Sequence, residues 1–239
     1  TLLLNGKENS QLDMNAGVIE RWRFINASSA RYVKLSLGGK KFTIIGTDGG
    51  LLEYPIPVTD FLLVPGERMD IVAGPFTEGE TFAIESLPYQ RGTMLKPKRE
   101  TFAIVKVGRQ RESKAFIPDR LRRIEPLAPG DAPVTRKIKL SEVLSITRGV
   151  DFKVNGHEHL DDQPVHVGEL QVWEIDNTSP MDHPFHLHGF FFPVIEENGK
   201  APAYRAWKDT YNLTPKTKIK IAWMPDNRPG MWMYHCHIL

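Results

Sequence analysis

Three features of the sequence predict an all-β fold made from two copies of one domain. Short segments rich in β-branched and aromatic residues, among them "RWRFINASS", "KFTIIG", "FLLVPG", "MDIVAG" and "TFAIESL", are bounded by Gly, Pro, Asn or Asp, which is how strands and turns are written. Long 3.6-residue periodicity is missing. The sequence also repeats itself: Asn5-Gly6 recurs as Asn155-Gly156, and Gly17, Trp22 and Asn26 recur 151 residues later as Gly168, Trp173 and Asn177. Further on, Gly38 falls on Gly189 and Gly79 on Gly230, while Asp60 and Pro65 fall near Asp209 and Pro215.

Taken in order, the chain divides into a first domain at 1–108, a linker at 109–135 and a second domain at 136–239. Its 239 residues, 41% hydrophobic and 25% charged, suffice for two real cores. A net charge of +2 is too mild to imply a nucleic-acid partner, and no apolar run reaches the ~18 residues of a membrane span. The opening "TLLLNGKENS" has neither the basic nor the long apolar stretch of a secretory signal. "GTDGGLLEYP" reads as a turn, since no G-x-G-x-x-G leads into a helix. Residues 96 to 135 carry basic runs and then Pro126, Pro129 and Pro133, the composition of a solvated connection. Within it "IPDRLRRIEPL", at 117 to 127, predicts a short helix. N-x-[ST] sequons at Asn26, Asn177 and Asn212 carry little weight, because such triplets often arise by chance.

The two copies differ where chemistry is expected. At the repeat offset, His183, His186 and His188 fall on Tyr32, Leu35 and Leu37, and His235, Cys236 and His237 fall on Ile84, Glu85 and Ser86. The domain can therefore be built without these imidazoles, and the second copy is specialised. Side chains alternate faces along a strand. His235 and His237 thus project to one side of "HCH" and Cys236 to the other. In "HPFHLH", His186 and His188 share a face, and His183, an odd number of residues away, takes the opposite one, unless Pro184 breaks the strand. Parity thus gives two sites, one of four imidazoles and one of a thiolate with an imidazole. The first suits copper, zinc or iron; the second is the chemistry of blue-copper electron transfer. Copper changes oxidation state where zinc does not, and the backbone from Cys236 to His235 and His237 is a short path for electrons between the sites.

Other candidates read differently. His157, His159 and His166 lie at a turn and are expected on the surface, and Met224, Met231 and Met233 are expected to be packing residues and not copper ligands. Asp182 and Asp209 are candidates to orient the imidazoles as carboxylates behind the ligands. The one cysteine excludes an internal disulfide.

"MDHPFHLHG" followed by "WMYHCHIL" resembles the multicopper oxidases, the family of laccases, bilirubin oxidases and bacterial copper efflux oxidases. The first copy resembles their copper-free middle domain through "LLLNGK", "ERWRFINASSARYVKL", "IGTDGGLLEYP" and "VPGERMDIV". The resemblance implies two cupredoxin-like Greek-key β-sandwich domains with a Pro-rich, partly helical linker. It implies that His183 and Cys236 hold a type 1 copper, His186 a type 2 copper, and His188, His235 and His237 a type 3 pair. Cys236 with His235 and His237 would relay electrons from a small reducing substrate or metal ion to a trinuclear cluster that reduces dioxygen to water. A periplasmic or extracellular location is implied too.

In that family the last motif runs on past "HCHIL" to another His and an axial Met or apolar residue, and an N-terminal cupredoxin domain supplies two further H-x-H pairs. The expectation is therefore an incomplete piece, with little oxidase activity alone and the N-terminal domain as its partner. Two rivals stand beside it. One is a non-catalytic cupredoxin scaffold or copper-binding protein, against which the six retained ligand residues count. The other is a two-domain copper enzyme of the nitrite-reductase type, which would not need both histidines of "HCH".

Overall fold

The computed structural model describes residues 2–94, 96–125, 127, 129–145, 149–157 and 164–238. They form seventeen strands and no helix. They group into two compact units, Thr1–Asn26 with Arg31–Val64 and Arg68–Arg123, and Ala27–Ala30 with Pro65–Glu67 and Ile124–Leu239. No helix among the described residues is long and apolar enough to cross a membrane.

In the first unit, β1 (Ser10–Ala16), β9 (Glu100–Gln110), β8 (Thr81–Leu87), β3 (Val33–Leu37) and β6 (Asp60–Leu63) lie in that order in one sheet. A second sheet runs β2 (Glu20–Ile25), β7 (Arg68–Ala73), β4 (Phe42–Thr47), β5 (Gly50–Val58). β1 and β9 are parallel, and the other pairs are antiparallel. Alternation along the strands buries Leu35, Leu37, Phe61, Phe82 and Ile84 from one sheet and Phe42, Ile44, Met69 and Ile71 from the other. Phe61 meets Phe42 edge-on across the core, with ring centroids 5.7 Å apart.

The second unit repeats the plan. One sheet is ordered β11 (Gly149–Val154), β10 (Arg136–Ser145), β12 (Gln171–Asn177), β16 (Lys218–Trp223), β14 (Val194–Glu197), and the other β15 (Thr210–Leu213), β13 (His183–Leu187), β17 (Tyr234–Cys236). Ile138, Leu140, Trp173, Ile175, Ile219, Ile221 and Trp223 from the first sheet bury against Phe185, Leu187 and Leu213 from the second. Trp173 stands perpendicular to Trp223 at 5.0 Å, and the Arg136 guanidinium covers it at 4.7 Å.

The repeated residues have physical jobs. Asn5-Gly6 and Asn155-Gly156 both take positive φ, 51° and 74° in the first and 52° and 83° in the second, which makes them the left-handed centres of tight hairpin turns. Asn26 donates its Nδ2 to the carbonyls of Arg31 and Leu63, at 2.7 and 2.9 Å. Its repeat, Asn177, donates to those of Met181 and Leu213 at the same two distances. Both asparagines are buried, and each ties the end of one strand to a neighbouring loop. Their sequons are thereby incidental.

The helix expected at 117–127 does not form; residues 117–125 have no helical turn, and Pro126 lies outside the described residues. The Leu121 N–H donates to the Glu53 carbonyl of β5 at 2.9 Å, and Arg120 pairs with the Glu53 carboxylate while lying over the Tyr54 ring. A helix this short is marginal in water, and the sheet edge offers the same groups partners at less ordering cost. The basic stretch before it is exposed from Arg109 to Lys114.

Replacing Asn177 with Ala should cost roughly 2–4 kcal/mol of stability, since it removes the hydrogen bonds that this buried amide donates to the carbonyls of Met181, Leu213 and Thr214. Asn212→Ala, at a partly exposed position, should cost less. Urea denaturation of the two variants checks the difference.

Candidate metal centre

β13 is the middle strand of its sheet, between β15 and β17, and its register sets the site. Phe185 lies opposite Cys236, His186 opposite His235, and Leu187 opposite Tyr234. The ladder continues beyond the strands: the His188 N–H donates to the Met233 carbonyl at 2.9 Å and the His237 N–H to the Pro184 carbonyl at 2.8 Å. Pro184 is thus accommodated, and alternation is kept from His183 to His188.

On the core-facing side, His183, Phe185 and Cys236 are buried. The His183 Nδ1 lies 3.2 Å from the Cys236 Sγ, and Phe152 of β11 packs edge-on to the His183 ring at 5.4 Å. On the other side four imidazoles gather. The His186 ring is 4.7 Å from that of His188, and 5.5 Å from those of His235 and His237. His186, His188 and His235 each offer a nitrogen within 4.8 Å of the others.

Hydrogen bonds orient these rings. The His186 Nδ1–H donates to the Asp209 carbonyl at 2.9 Å, with the Thr210 hydroxyl at 3.0 Å. The His235 Nδ1–H donates to the Cys236 carbonyl at 2.9 Å. A carbonyl only accepts, so both rings carry their proton on Nδ1 and keep the Nε2 lone pair for the cluster. The His188 Nε2–H then donates to the His235 Nε2, 2.9 Å away, putting a shared proton where a cation would be held. Burial pushes the pKa of His186 below the ordinary imidazole value; Asp209 opposes this and His188 adds to it. Burial likewise lowers His235, against its bond to the Cys236 carbonyl. The neutral form is the ligating one. The His237 Nδ1 is buried with no hydrogen-bond partner among the described residues.

The donor set therefore fits two kinds of metal chemistry. Converging Nε2 lone pairs suit copper, zinc or iron, and a cysteine sulfur beside an imidazole nitrogen suits copper in an electron-transfer role. Of the two carboxylate candidates, Asp209 places Oδ1 3.6 Å from the His186 Nδ1, but its carbonyl is the closer acceptor. Asp182 is buried and accepts from the Asn212 Nδ2 at 2.9 Å, so it organises the strand end beside His183. The sequence carries no signal for Thr210 or Phe152. Thr210 merely follows Asp209, and nothing local marks Phe152.

The methionine expectation is corrected. Met224, Met231 and Met233 are exposed, at 46%, 78% and 61%; in the segment before β17 it is Trp232, between Met231 and Met233, that packs. The Trp232 ring lies against Gly189, where a Cβ would come within 2.5 Å of it. The Trp232 Nε1–H donates to the Arg228 carbonyl at 3.1 Å, and Arg228 donates to the Gly189 carbonyl at 2.7 Å. His157 and His166 are exposed; His159 lies outside the described residues.

Two family models, both described as multicopper oxidase, match residues 1–113 and 135–239. A multicopper oxidase of Mycobacterium tuberculosis, MmcO, is 30% identical over 91% of this chain and 43% of its own length. The cell division protein FtsP of Photorhabdus laumondii is 30% identical over all of this chain and 52% of its own. Among solved structures, a Campylobacter jejuni multicopper oxidase described as a metallo-oxidase superposes with a TM-score of 0.81 at 28% identity, over 99% of this chain and 53% of that one. The chain spans about half the length of the curated relatives it matches.

His188→Ala and His235→Ala should each weaken binding of a divalent transition ion at the imidazole cluster by more than about 10-fold. His166→Ala, at the exposed turn, should leave binding unchanged. Titration of this chain with Co2+, followed by absorption and a chelator competition, measures both.

Proposed function

Because this chain belongs to the multicopper oxidase family, we propose that its second unit is the copper-bearing part of a laccase-like oxidase. The oxidase couples one-electron oxidation of phenols, amines or low-valent metal ions to reduction of dioxygen to water. One observation carries the reading: a single strand pairing puts Cys236 beside His183 on one face and His235 across from His186 on the other. In this reading His183 and Cys236 hold the type 1 copper, His186 the type 2 copper, and His188, His235 and His237 the type 3 pair. The division at 1–108, 109–135 and 136–239, and a periplasmic or extracellular location, belong to the same proposal.

Copper bound there would supply one-electron redox chemistry between the reducing substrate and dioxygen. The chain's own residues do the remaining work. Cys236 is bonded through the backbone to His235 and His237, so its sulfur and the imidazole cluster share a short covalent path. Phe152 packs on the His183 ring, and Cys236 and its cross-strand neighbour Phe185 are buried, which favours a fixed, poorly solvated donor set with little reorganisation. The carbonyls of Asp209 and Cys236 hold the Nδ1 protons of His186 and His235 and so keep Nε2 available.

A second reading, a non-catalytic scaffold descended from such oxidases, is favoured by one observation, the similarity to a protein named for cell division. The two separate on copper. The full-length protein, loaded with copper, should show an intense visible thiolate-to-copper absorption and consume oxygen with a phenolic, amine or metal-ion donor. Cys236→Ser should abolish both. A wild-type protein with neither property sinks the oxidase reading. The isolated 239-residue chain should consume no measurable oxygen, since its imidazoles are half of the trinuclear ligand set that the resemblance implies.

A further inference from the structure

We propose that Gly66 is a positioning residue for His237: its missing side chain leaves the space in which the imidazole stands, and its backbone is the wall that fixes the ring's rotation. The inference rests on the copper reading for its consequence, but its geometry is independent of any metal.

The Pro65–Glu67 turn belongs to the second compact unit. A Cβ built on Gly66 would come within 2.6 Å of both the Cδ2 and the Nε2 of His237 and within 3.2 Å of its Cγ. Real Cβ atoms do not approach so closely, so any side chain at 66 must displace either the turn or the ring. The turn is not at liberty to move. Next to Gly66, Glu67 pairs with Lys208, and both side chains are about nine-tenths buried. Lys208 in turn exchanges backbone hydrogen bonds with Phe192, at 2.7 and 2.9 Å, and Phe192 lies in the core of the unit. Breaking a buried ion pair leaves an uncompensated charge, which costs several kcal/mol. The ring is therefore the part that would shift.

Turn geometry alone does not explain the glycine. Gly66 has φ +82°, a conformation that favours glycine. The second copy of the repeat makes the equivalent turn, "LTPKT" against "LVPGE", with Lys216 in that place at φ +63°. A long side chain is tolerated where nothing stands over the turn. What distinguishes position 66 is the imidazole.

His237 also has the most need of such a wall. His186 and His235 are each oriented by a carbonyl accepting from Nδ1. The His237 Nδ1 is buried and has no hydrogen-bond partner among the described residues, so the steric contact along its Cδ2–Nε2 edge supplies the orientation that a hydrogen bond supplies elsewhere.

The test compares Gly66→Ala with Gly79→Ala in the full-length protein. Gly79 has nearly the same backbone angle, φ +84°, and nothing within 4 Å of its hypothetical Cβ, so it reports backbone strain alone. Gly66→Ala should weaken copper at the imidazole cluster by about 10- to 100-fold in chelator competition and leave the thiolate absorption band intact; Gly79→Ala should do neither. Independently of copper, Gly66→Ala should lower Tm more than Gly79→Ala, and His237→Ala, by removing the ring, should erase that excess. Equal effects of the two glycine variants on copper affinity and Tm overturn the proposal. If Gly66→Ala does not fold, the double variant with His237→Ala should; its failure to fold overturns the proposal as well. Full copper occupancy in His237→Ala would instead remove the copper reading and leave the steric coupling standing.

Discussion

The pairing of β13 with β17 is the constraint on which the rest of the site depends. Only a few residue pairs are in register, yet they decide two environments at once, because side chains on adjacent residues of a strand must point to opposite faces. With Phe185 opposite Cys236 and His186 opposite His235, the sulfur goes to the buried side and the imidazoles to the other. A slip of one residue would exchange the faces and take both groupings apart. That register is held well beyond its own hydrogen bonds: Phe185 and Leu187 are locked in the core, and the His188–Met233 and His237–Pro184 backbone bonds extend the ladder at either end.

Holding the imidazoles is a matter of protons as much as position. His186 and His235 sit where burial disfavours a charged ring, and a carbonyl takes each Nδ1 proton. Both effects favour the neutral tautomer with Nε2 exposed to the cluster. The fold thus prepares the donor atoms before any ion arrives, which limits the ordering cost of binding one.

The first unit shows what the same architecture looks like without this demand. It retains the Asn staple, the NG turn and the paired sheets, and by strand register it carries Val33, Ser36 and Glu85 in the places of His183, His186 and His235. The strand register shifts the 151-residue sequence offset to 150 here: Leu35 and Leu37 are the counterparts of Phe185 and Leu187, which fill the core in both copies, and where the first copy pairs Ser36 with Glu85 the second pairs His186 with His235. The architecture is tolerant because its stability comes from inward-facing side chains distributed over all its strands.

Much of this was legible from sequence, for a reason particular to strands. The two-residue period makes the face of each residue in "HPFHLH" and "HCH" a matter of counting, so the grouping of four imidazoles apart from His183 and Cys236 follows once the segments are recognised as strands. The repeat marked Asn26 and Asn177 as structurally equivalent without saying what they do. Tertiary structure decided everything that depends on a distant partner. The segment at 117–125 looked helical by local pattern, but Glu53 and Tyr54 hold it without a helical turn. Met231 and Met233 looked like packing residues, but Trp232 lying on Gly189 leaves them exposed. The carbonyls of Asp209 and Cys236 that hold the imidazole protons, the phenyl ring of Phe152 against His183, and the empty space at Gly66 leave no local signature. Each is set by which strands and turns the fold brings together, and a periodicity within one segment carries no information about that.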